Sequence, residues 1–158
     1  MKKILLFPLI LFAAYSFGQK FSLTQLQKLY DKDDSFFDTY AIQNNYQFAS
    51  AKDSFVTYNY HDGSLFNRLE IETLPGMFNK SIKERCIAWT FTSDENYLEI
   101  KKELSDNNYQ LFKSLNGNND YTSAQHFYYT NKVYVVHLTV AKMNFMKVPV
   151  YVVVIRKV

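Results

Sequence analysis

The chain has little of what most catalytic motifs require. Its 158 residues include one cysteine, four glycines and three prolines. A single cysteine cannot close a disulfide within the chain or form a cysteine-based metal site. Four scattered glycines cannot form the clustered loop that holds phosphates, and neither G-x-S-x-G nor H-E-x-x-H occurs. The sequence therefore carries no common motif for nucleotide binding, serine hydrolysis or zinc proteolysis, and we expect a protein that is not an enzyme.

Cys86, the one cysteine, follows Arg85 at the start of an alternating apolar run. We interpret it as a small residue on a strand. An intermolecular disulfide or a reactive thiol is the alternative interpretation.

An excess of charge of one sign is lacking as well. The formal charge of +3 includes Lys2 and Lys3, and without them 16 basic residues face 15 acidic ones. Proteins that bind nucleic acids usually carry a basic patch that contacts the phosphates. The balanced charge therefore predicts no nucleic-acid partner.

The first 18 residues have the pattern of an export signal. Lys2 and Lys3 precede an apolar run over residues 4–14, which at about eleven residues is too short to cross a bilayer. Ser16-Phe17-Gly18 then offers small residues for cleavage before Gln19. No cysteine follows the run, which argues against a lipoprotein. We expect a soluble exported domain at 19–158, periplasmic or extracellular and without a membrane span; an uncleaved anchor is the alternative.

What the chain does have is a high aromatic content and an internal echo. Aromatic residues make up 18% of the sequence, almost all of them Phe and Tyr. The run Asn44-Asn45-Tyr46-Gln47-Phe48 recurs 63 positions later, from 44 to 107, as Asn107-Asn108-Tyr109-Gln110-Leu111. Ahead of the echo, Phe37 and Ala41 fall on Ile100 and Leu104 at helical spacing. An echo of this length indicates a duplicated unit within one domain.

The same offset also aligns strand patterns. A shift of 63 positions aligns Ile87, Trp89 and Phe91 with Val150, Val152 and Val154, the alternate residues of the last apolar run. Those residues then form the inward face of each strand. Tyr151 is accordingly predicted to face outward.

The order of the predicted elements gives the fold class. Helices are predicted from Ser22, from Asp34 or Ser35, and from Ser93 or Asp94. Strands are predicted at 55–60, 68–73, 85–92, 121–129, 133–140 and 148–155, with a short one possible at 111–115. This order predicts an α+β domain with an antiparallel sheet and helices on one face. Its halves, about 22–92 and 93–158, each contain a helix-plus-three-strand unit.

This element order resembles the β-lactamase inhibitor protein fold, in which two helix-and-sheet repeats form a saddle whose sheet face binds a partner. The runs Phe37-Asp38-Thr39-Tyr40 and Asn45-Tyr46-Gln47-Phe48 are similar to a pattern in small exported proteins of unassigned function, which implies no activity. The first resemblance implies a protein partner, of an inhibitor or immunity type.

Two histidines form the strongest geometric candidate for a site. If Asn131-Lys132 is a two-residue turn, His126 lies directly opposite His137 across the hairpin. A three-residue turn that begins at Thr130 would separate them. Such a pair can hold a metal or respond to pH, but it needs a further ligand, and we expect no metal and no cofactor.

Glu70 and Glu72 lie two residues apart on one strand, a separation of about 6.5–7 Å that suits paired acid–base carboxylates. An alternating Arg-x-Glu-x-Glu pattern is more typical of the solvated side of an antiparallel sheet, which is our interpretation.

The predicted function is binding. Tyrosine is favoured at protein interfaces, and the outward residues predicted to form the contact surface are Tyr128, His137, Thr139 and Tyr151. An apolar edge strand also leaves a homodimer open. The second hypothesis is a small-molecule or lipid carrier with a cavity lined by Phe36, Phe37 and Trp89; the third is an envelope enzyme.

Overall fold

The computed structural model describes residues 20–52, 54–60, 66–75, 83–118 and 122–158. The predicted export signal, its cleavage site and His61 lie outside these ranges. Within them, the helices are α1 (Leu23–Asp31), α2 (Asp34–Gln43) and α3 (Asp94–Asp106). The strands are β1 (Tyr46–Lys52), β2 (Phe55–Tyr60), β3 (Arg68–Pro75), β4 (Lys83–Phe91), β5 (Gln110–Asn118), β6 (Thr122–Thr130), β7 (Tyr134–Met143) and β8 (Val150–Lys157).

Side-chain caps fix where the helices begin. The Ser22 hydroxyl accepts a hydrogen bond from Gln25 N at 3.1 Å, and the Gln25 side chain accepts one from Ser22 N at 2.7 Å. Asp33 caps α2 by accepting from Phe36 N at 2.8 Å, and Ser93 caps α3. These caps satisfy backbone N–H groups that have no partner within the helix.

All eight strands form one antiparallel sheet in the order β1-β2-β3-β4-β8-β7-β6-β5. The α+β class with an antiparallel sheet is therefore confirmed. The two halves meet where β4 pairs with β8, and β1 and β5 form the two edges. Each half has four strands: the first half has one more than the predicted three, and in the second half β5 includes the short strand that the sequence left possible at 111–115. The alternation of apolar and polar residues in β1 is interrupted between Phe48 and Ala49, where the strand bulges, and this break hides the strand from a sequence-based prediction.

The echo marks equivalent positions in the two halves. Asn45 and Asn108 both adopt the left-handed conformation, with φ of 63° and 58°, directly after the ends of α2 and α3. Both edge strands also carry a bulge at the same offset, between Phe48 and Ser50 in β1 and between Leu111 and Lys113 in β5. The geometry matches; a duplication of the sequence itself stays a prediction.

The helices and one face of the sheet enclose the main core. Leu29, Phe37, Trp89 and Ile100 are each at most 1% exposed. The Trp89 ring stacks on Phe91 with centroids 4.0 Å apart, and meets Phe21 edge-on at 5.2 Å. All three helices contribute to this cluster, so they lie on the same side of the sheet.

The opposite face, which we call the open face, carries the alternate side chains. In the part of the chain described, no helix packs on it. Small residues at its centre are nevertheless buried by their neighbours, among them Cys86 and Ala88, which pack against Val154. The open face includes Thr57, Glu70, Glu72, Cys86, Leu115, His126, Tyr128, Val135, His137, Thr139, Val154 and Arg156.

The prediction that Tyr151 faces outward is wrong. Tyr151 is 5% exposed, stacks on Tyr97 at 4.5 Å, and its hydroxyl donates to Asp94 Oδ1 at 2.6 Å. In the β4–β8 register Phe91 lies opposite Tyr151, so the odd-numbered residues of β8 face the helices. The inward residues of β4 are odd-numbered too, and an offset of 63 matched them with even-numbered residues of β8. Those residues lie on the opposite face, so the prediction exchanged the two faces of the strand.

The structure also bears on the membrane question. None of the helices in the described ranges is long and apolar enough to span a bilayer.

Candidate binding surface on the open sheet face

The turn between β6 and β7 determines which residues meet. Its central residues are Lys132, with φ of 73°, and Val133, one position further along than predicted. Asn131 Oδ1 accepts hydrogen bonds from Val133 N at 3.0 Å and Tyr134 N at 2.8 Å, which stabilises this turn. Moving a turn by one residue changes the strand register by two, so every side chain keeps its face.

The prediction that His126 lies directly opposite His137 is therefore wrong, but the two rings still touch. Tyr128 lies opposite His137, and His126 lies opposite Thr139. The histidines are diagonal neighbours, with His126 Nδ1 3.1 Å from His137 Nε2. Thr139 Oγ1 is 3.0 Å from each of these nitrogens. Three of the four residues predicted for the binding surface, Tyr128, His137 and Thr139, thus form one cluster.

The surroundings of His137 favour the neutral form of its imidazole. Burial lowers the pKa of His137 to about 4, and the neighbouring charges of His126 and Arg156 act in the same direction. The Tyr128 ring stacks on it almost in parallel, with centroids 4.3 Å apart and an angle of 9° between the planes. The stacked pair presents a flat aromatic surface that is half-buried in the sheet.

Gly117 makes room for His126. A Cβ atom at position 117 on β5 would lie 3.3 Å from His126 Nε2, closer than an ordinary van der Waals contact. The glycine therefore lets the His126 ring lie over the edge strand with its Nδ1 directed at His137.

The edge strand β5 adds an apolar rim that the sequence did not identify. Phe112 and Leu115 are each 45% exposed, and the Phe112 ring lies 6.3 Å from that of Tyr128. Lys113 Nζ lies 5.6 Å above the Tyr128 ring. The bulge between Leu111 and Lys113 places Phe112 here. The echoed segment ends at Leu111, so nothing in the sequence indicated the position of Phe112. We call the following seven residues the Tyr128 patch: Phe112, Lys113, Leu115, His126, Tyr128, His137 and Thr139.

A shallow cleft adjoins the patch. Its volume is about 300 Å³, and its lining residues are Phe112, Thr130, Lys132, Val135 and Val158. Phe112 belongs to both the patch and the cleft, so the two form one continuous surface.

Charge is distributed unequally along the chain. Residues 107–158 contain six basic residues and one acidic residue, Asp120, a net charge of +5. The Tyr128 patch belongs to this basic part: Lys113 is one of its residues, and Lys132 lines the adjoining cleft. The acidic residues of the open face lie in the other half of the sheet.

Glu70 and Glu72 lie on the open face, but their surroundings are structural. Glu70 is 8% exposed, accepts a hydrogen bond from Thr57 Oγ1 at 2.9 Å, and lies 3.8 Å from the Arg68 guanidinium. Burial raises the pKa of Glu72 above its usual 4.5, and the negative charge of Glu70 adds to the rise while Arg68 opposes it. Glu70 is therefore held by hydrogen bonding, whereas the ionised form of Glu72 is disfavoured.

We predict that Glu72→Gln stabilises the protein at neutral pH by about 0.5–1 kcal/mol, because a neutral amide avoids the cost of burying a charge and the repulsion from Glu70. The pKa of Glu72 is higher in the folded state than in the unfolded state. The contribution of Glu72 to the stability of the wild type is therefore fully present below the unfolded pKa and is lost as the pH rises through the folded pKa. The gain from Glu72→Gln should therefore appear above the raised pKa and vanish below about pH 4. Urea denaturation of both proteins from pH 3.5 to 8 measures it.

Glu70→Gln is the matched control. It weakens the hydrogen bond from Thr57 and the contact with Arg68, so it should destabilise by about 1 kcal/mol at pH 7. Equal effects of the two substitutions would contradict the distinction between the two carboxylates.

Cys86 agrees with its interpretation as a small strand residue. It is fully buried, its thiol donates to the Glu72 carbonyl oxygen at 3.5 Å, and burial raises the pKa of the thiol to about 12. A thiol that stays protonated is a poor nucleophile.

The rings proposed to line a carrier cavity are packed against other side chains. Phe37 and Trp89 are fully buried, and Phe37 meets Tyr58 edge-on at 5.7 Å. Phe36 stacks on Tyr40 at 6.1 Å. These contacts weaken the hypothesis of a ligand between the helices and the sheet.

The histidine cluster falls short of a conventional metal site. No group of three or more His, Cys, Asp or Glu side chains in the described ranges is placed to hold an ion.

No family model, curated protein or solved structure matches the chain. The resemblance to the β-lactamase inhibitor protein fold accordingly stays a prediction from element order.

Proposed function

We propose that this chain is an exported, non-catalytic binding protein that holds a protein partner against the Tyr128 patch. The observation that carries the proposal is a continuous surface of aromatic and apolar side chains on the open face, Phe112 and Leu115 beside the stacked Tyr128 and His137. Interface centres are enriched in such aromatic residues. Export is supported by the signal pattern of residues 1–18.

The surface suits a macromolecule better than a small ligand. It extends across the three strands β5, β6 and β7 without an enclosing wall, and its cleft of about 300 Å³ is shallow. Small-molecule sites usually bury most of their ligand. The cleft matches one large apolar side chain inserted by a partner, which is how central interface residues commonly bind.

Charge specifies the partner further. Lys113 belongs to the patch and Lys132 lines the adjoining cleft. Residues 107–158, which include the patch, carry a net charge of +5 from six basic residues and one acidic residue. The complementary partner presents an apolar side chain flanked by carboxylates. Electrostatic complementarity of this kind accelerates association and disfavours wrong partners.

A photo-crosslinking amino acid at position 112 tests the proposal in the producing cells. We expect it to capture one protein from the envelope or medium, identified by mass spectrometry. The purified partner is then titrated with wild type, Tyr128→Ala and Phe48→Ala. Phe48 is 60% exposed but contacts Tyr58 on the helix-covered side, so it is the matched control.

Binding should weaken at least tenfold, about 1.4 kcal/mol, with Tyr128→Ala and stay unchanged with Phe48→Ala. Association should also slow as salt is raised. Equal loss in the two variants, or capture of the same protein from position 48, would overturn the proposal. An enzyme inhibited by this protein would identify the inhibitor type.

A further inference from the structure

We propose that His126, His137 and Thr139 form a site for one divalent transition-metal ion, Zn²⁺ or Cu²⁺, on the open face. The site lies within the Tyr128 patch, but the free chain supplies all three donors, so ion binding does not require the protein partner proposed above. It rests on the positions of three donor atoms, His126 Nδ1, His137 Nε2 and Thr139 Oγ1.

The spacing of these atoms suits a single ion. The two nitrogens are 3.1 Å apart, and Thr139 Oγ1 is 3.0 Å from each, so the three form a nearly equilateral triangle. Zinc binds imidazole nitrogen at about 2.0–2.1 Å, which places two nitrogens of a tetrahedral site about 3.3 Å apart. Adjacent nitrogens of a square-planar Cu²⁺ lie about 2.9 Å apart. The observed spacing falls between these two geometries.

The donor types point to the same ions. Imidazole is a preferred ligand of zinc, copper and nickel, whereas calcium and magnesium prefer carboxylate and carbonyl oxygens. Thr139 supplies an oxygen donor, and the remaining coordination positions are open to water.

The surroundings hold both rings in the geometry required. Tyr128 stacks on His137 at 4.3 Å and fixes the plane of that ring. The absence of a side chain at Gly117 lets His126 lie where its Nδ1 meets His137 Nε2. Residues that orient a ligating histidine typically contribute about tenfold or more to metal affinity.

Titration of the untagged protein with CuCl₂, followed by electron paramagnetic resonance, tests the site, with ZnCl₂ as competitor. We expect one Cu²⁺ per chain whose spectrum shows hyperfine coupling to two nitrogens. His126→Asn and His137→Gln should each weaken binding at least tenfold and remove one nitrogen from the pattern. His61→Asn, which changes the remaining histidine of the sequence, should bind as the wild type does.

Two subtler variants keep both histidines. Gly117→Ala should displace the His126 ring and weaken binding about tenfold, and Thr139→Val should weaken it by removing the oxygen donor. Copper binding that survives His126→Asn with His137→Gln, or that disappears in His61→Asn, would overturn the proposal. If the histidine variants do not fold, unchanged affinity in Thr139→Val would overturn the proposed donor set instead.

Discussion

Tyr151→Ala is expected to lower the free energy of unfolding by about 3–5 kcal/mol, the range for truncation of a large buried ring. Tyr151 is 5% exposed and lies between Phe91 at 5.4 Å and Tyr97 at 4.5 Å. Truncation leaves a cavity beneath α3 and removes the hydrogen bond that the Tyr151 hydroxyl donates to Asp94 Oδ1. Urea denaturation followed by the fluorescence of Trp89, the one tryptophan of the chain, measures the loss.

Tyr128→Ala is the matched control on the other face. Tyr128 is half-buried and its contacts are with the rings of His137 and Phe112. Its truncation should cost at least about 2 kcal/mol less than that of Tyr151, because fewer contacts are lost and water can reach the site. If the two substitutions destabilised the protein equally, the assignment of β8 residues to the two faces would be wrong.

The sequence could predict positions near the echo but not those far from it. Phe37 and Ala41 matched Ile100 and Leu104, and all four are buried at 0–1% exposure. Each pair precedes the same helix ending, so no loop intervenes to change the offset. By β8 the intervening loops of the two halves differ in length. In β4 and β8, Trp89 pairs with Val153 and Phe91 with Tyr151, so the inward residues of both strands are odd-numbered. Only an even offset, and not 63, can match one inward residue with another there.

For the candidate site, the sequence predicted the faces of the side chains correctly but not their contacts. Alternation in β6 and β7 placed Tyr128, His137 and Thr139 on one face correctly, because a turn shifted by one residue preserves faces. It could not place the contact between His126 and His137, which depends on the register and on the missing side chain at Gly117. It also missed Phe112, since a bulge interrupts the alternation on which the prediction depended.

Burial of the acidic residues was likewise beyond the sequence. The Arg-x-Glu-x-Glu pattern assigned Glu70 to the side opposite the core, and the register agrees. Alternation indicates a face, however, and not what covers it. Thr57 and Arg68, from β2 and β3, lie over Glu70 and reduce its exposure to 8%.

Asn45→Val and Asn108→Val are each expected to destabilise the protein by about 1–2 kcal/mol, and the double variant by about 2–4 kcal/mol. Both asparagines have positive φ, at 63° and 58°, where a β-branched side chain clashes with its own backbone. Asn45 N donates to Ile42 O at 3.1 Å and Asn108 N to Ser105 O at 3.2 Å, so each terminates its helix. Thermal and urea unfolding measure both costs.

Asn→Gly at each position is the matched control, since glycine adopts positive φ without strain. These variants should stay within about 0.5 kcal/mol of the wild type. The two valine costs should add, because the positions precede β1 and β5 at opposite edges of the sheet. A large cost at one position and none at the other would contradict the structural equivalence of the two halves. Equal costs would show that both helices need the same left-handed ending before an edge strand.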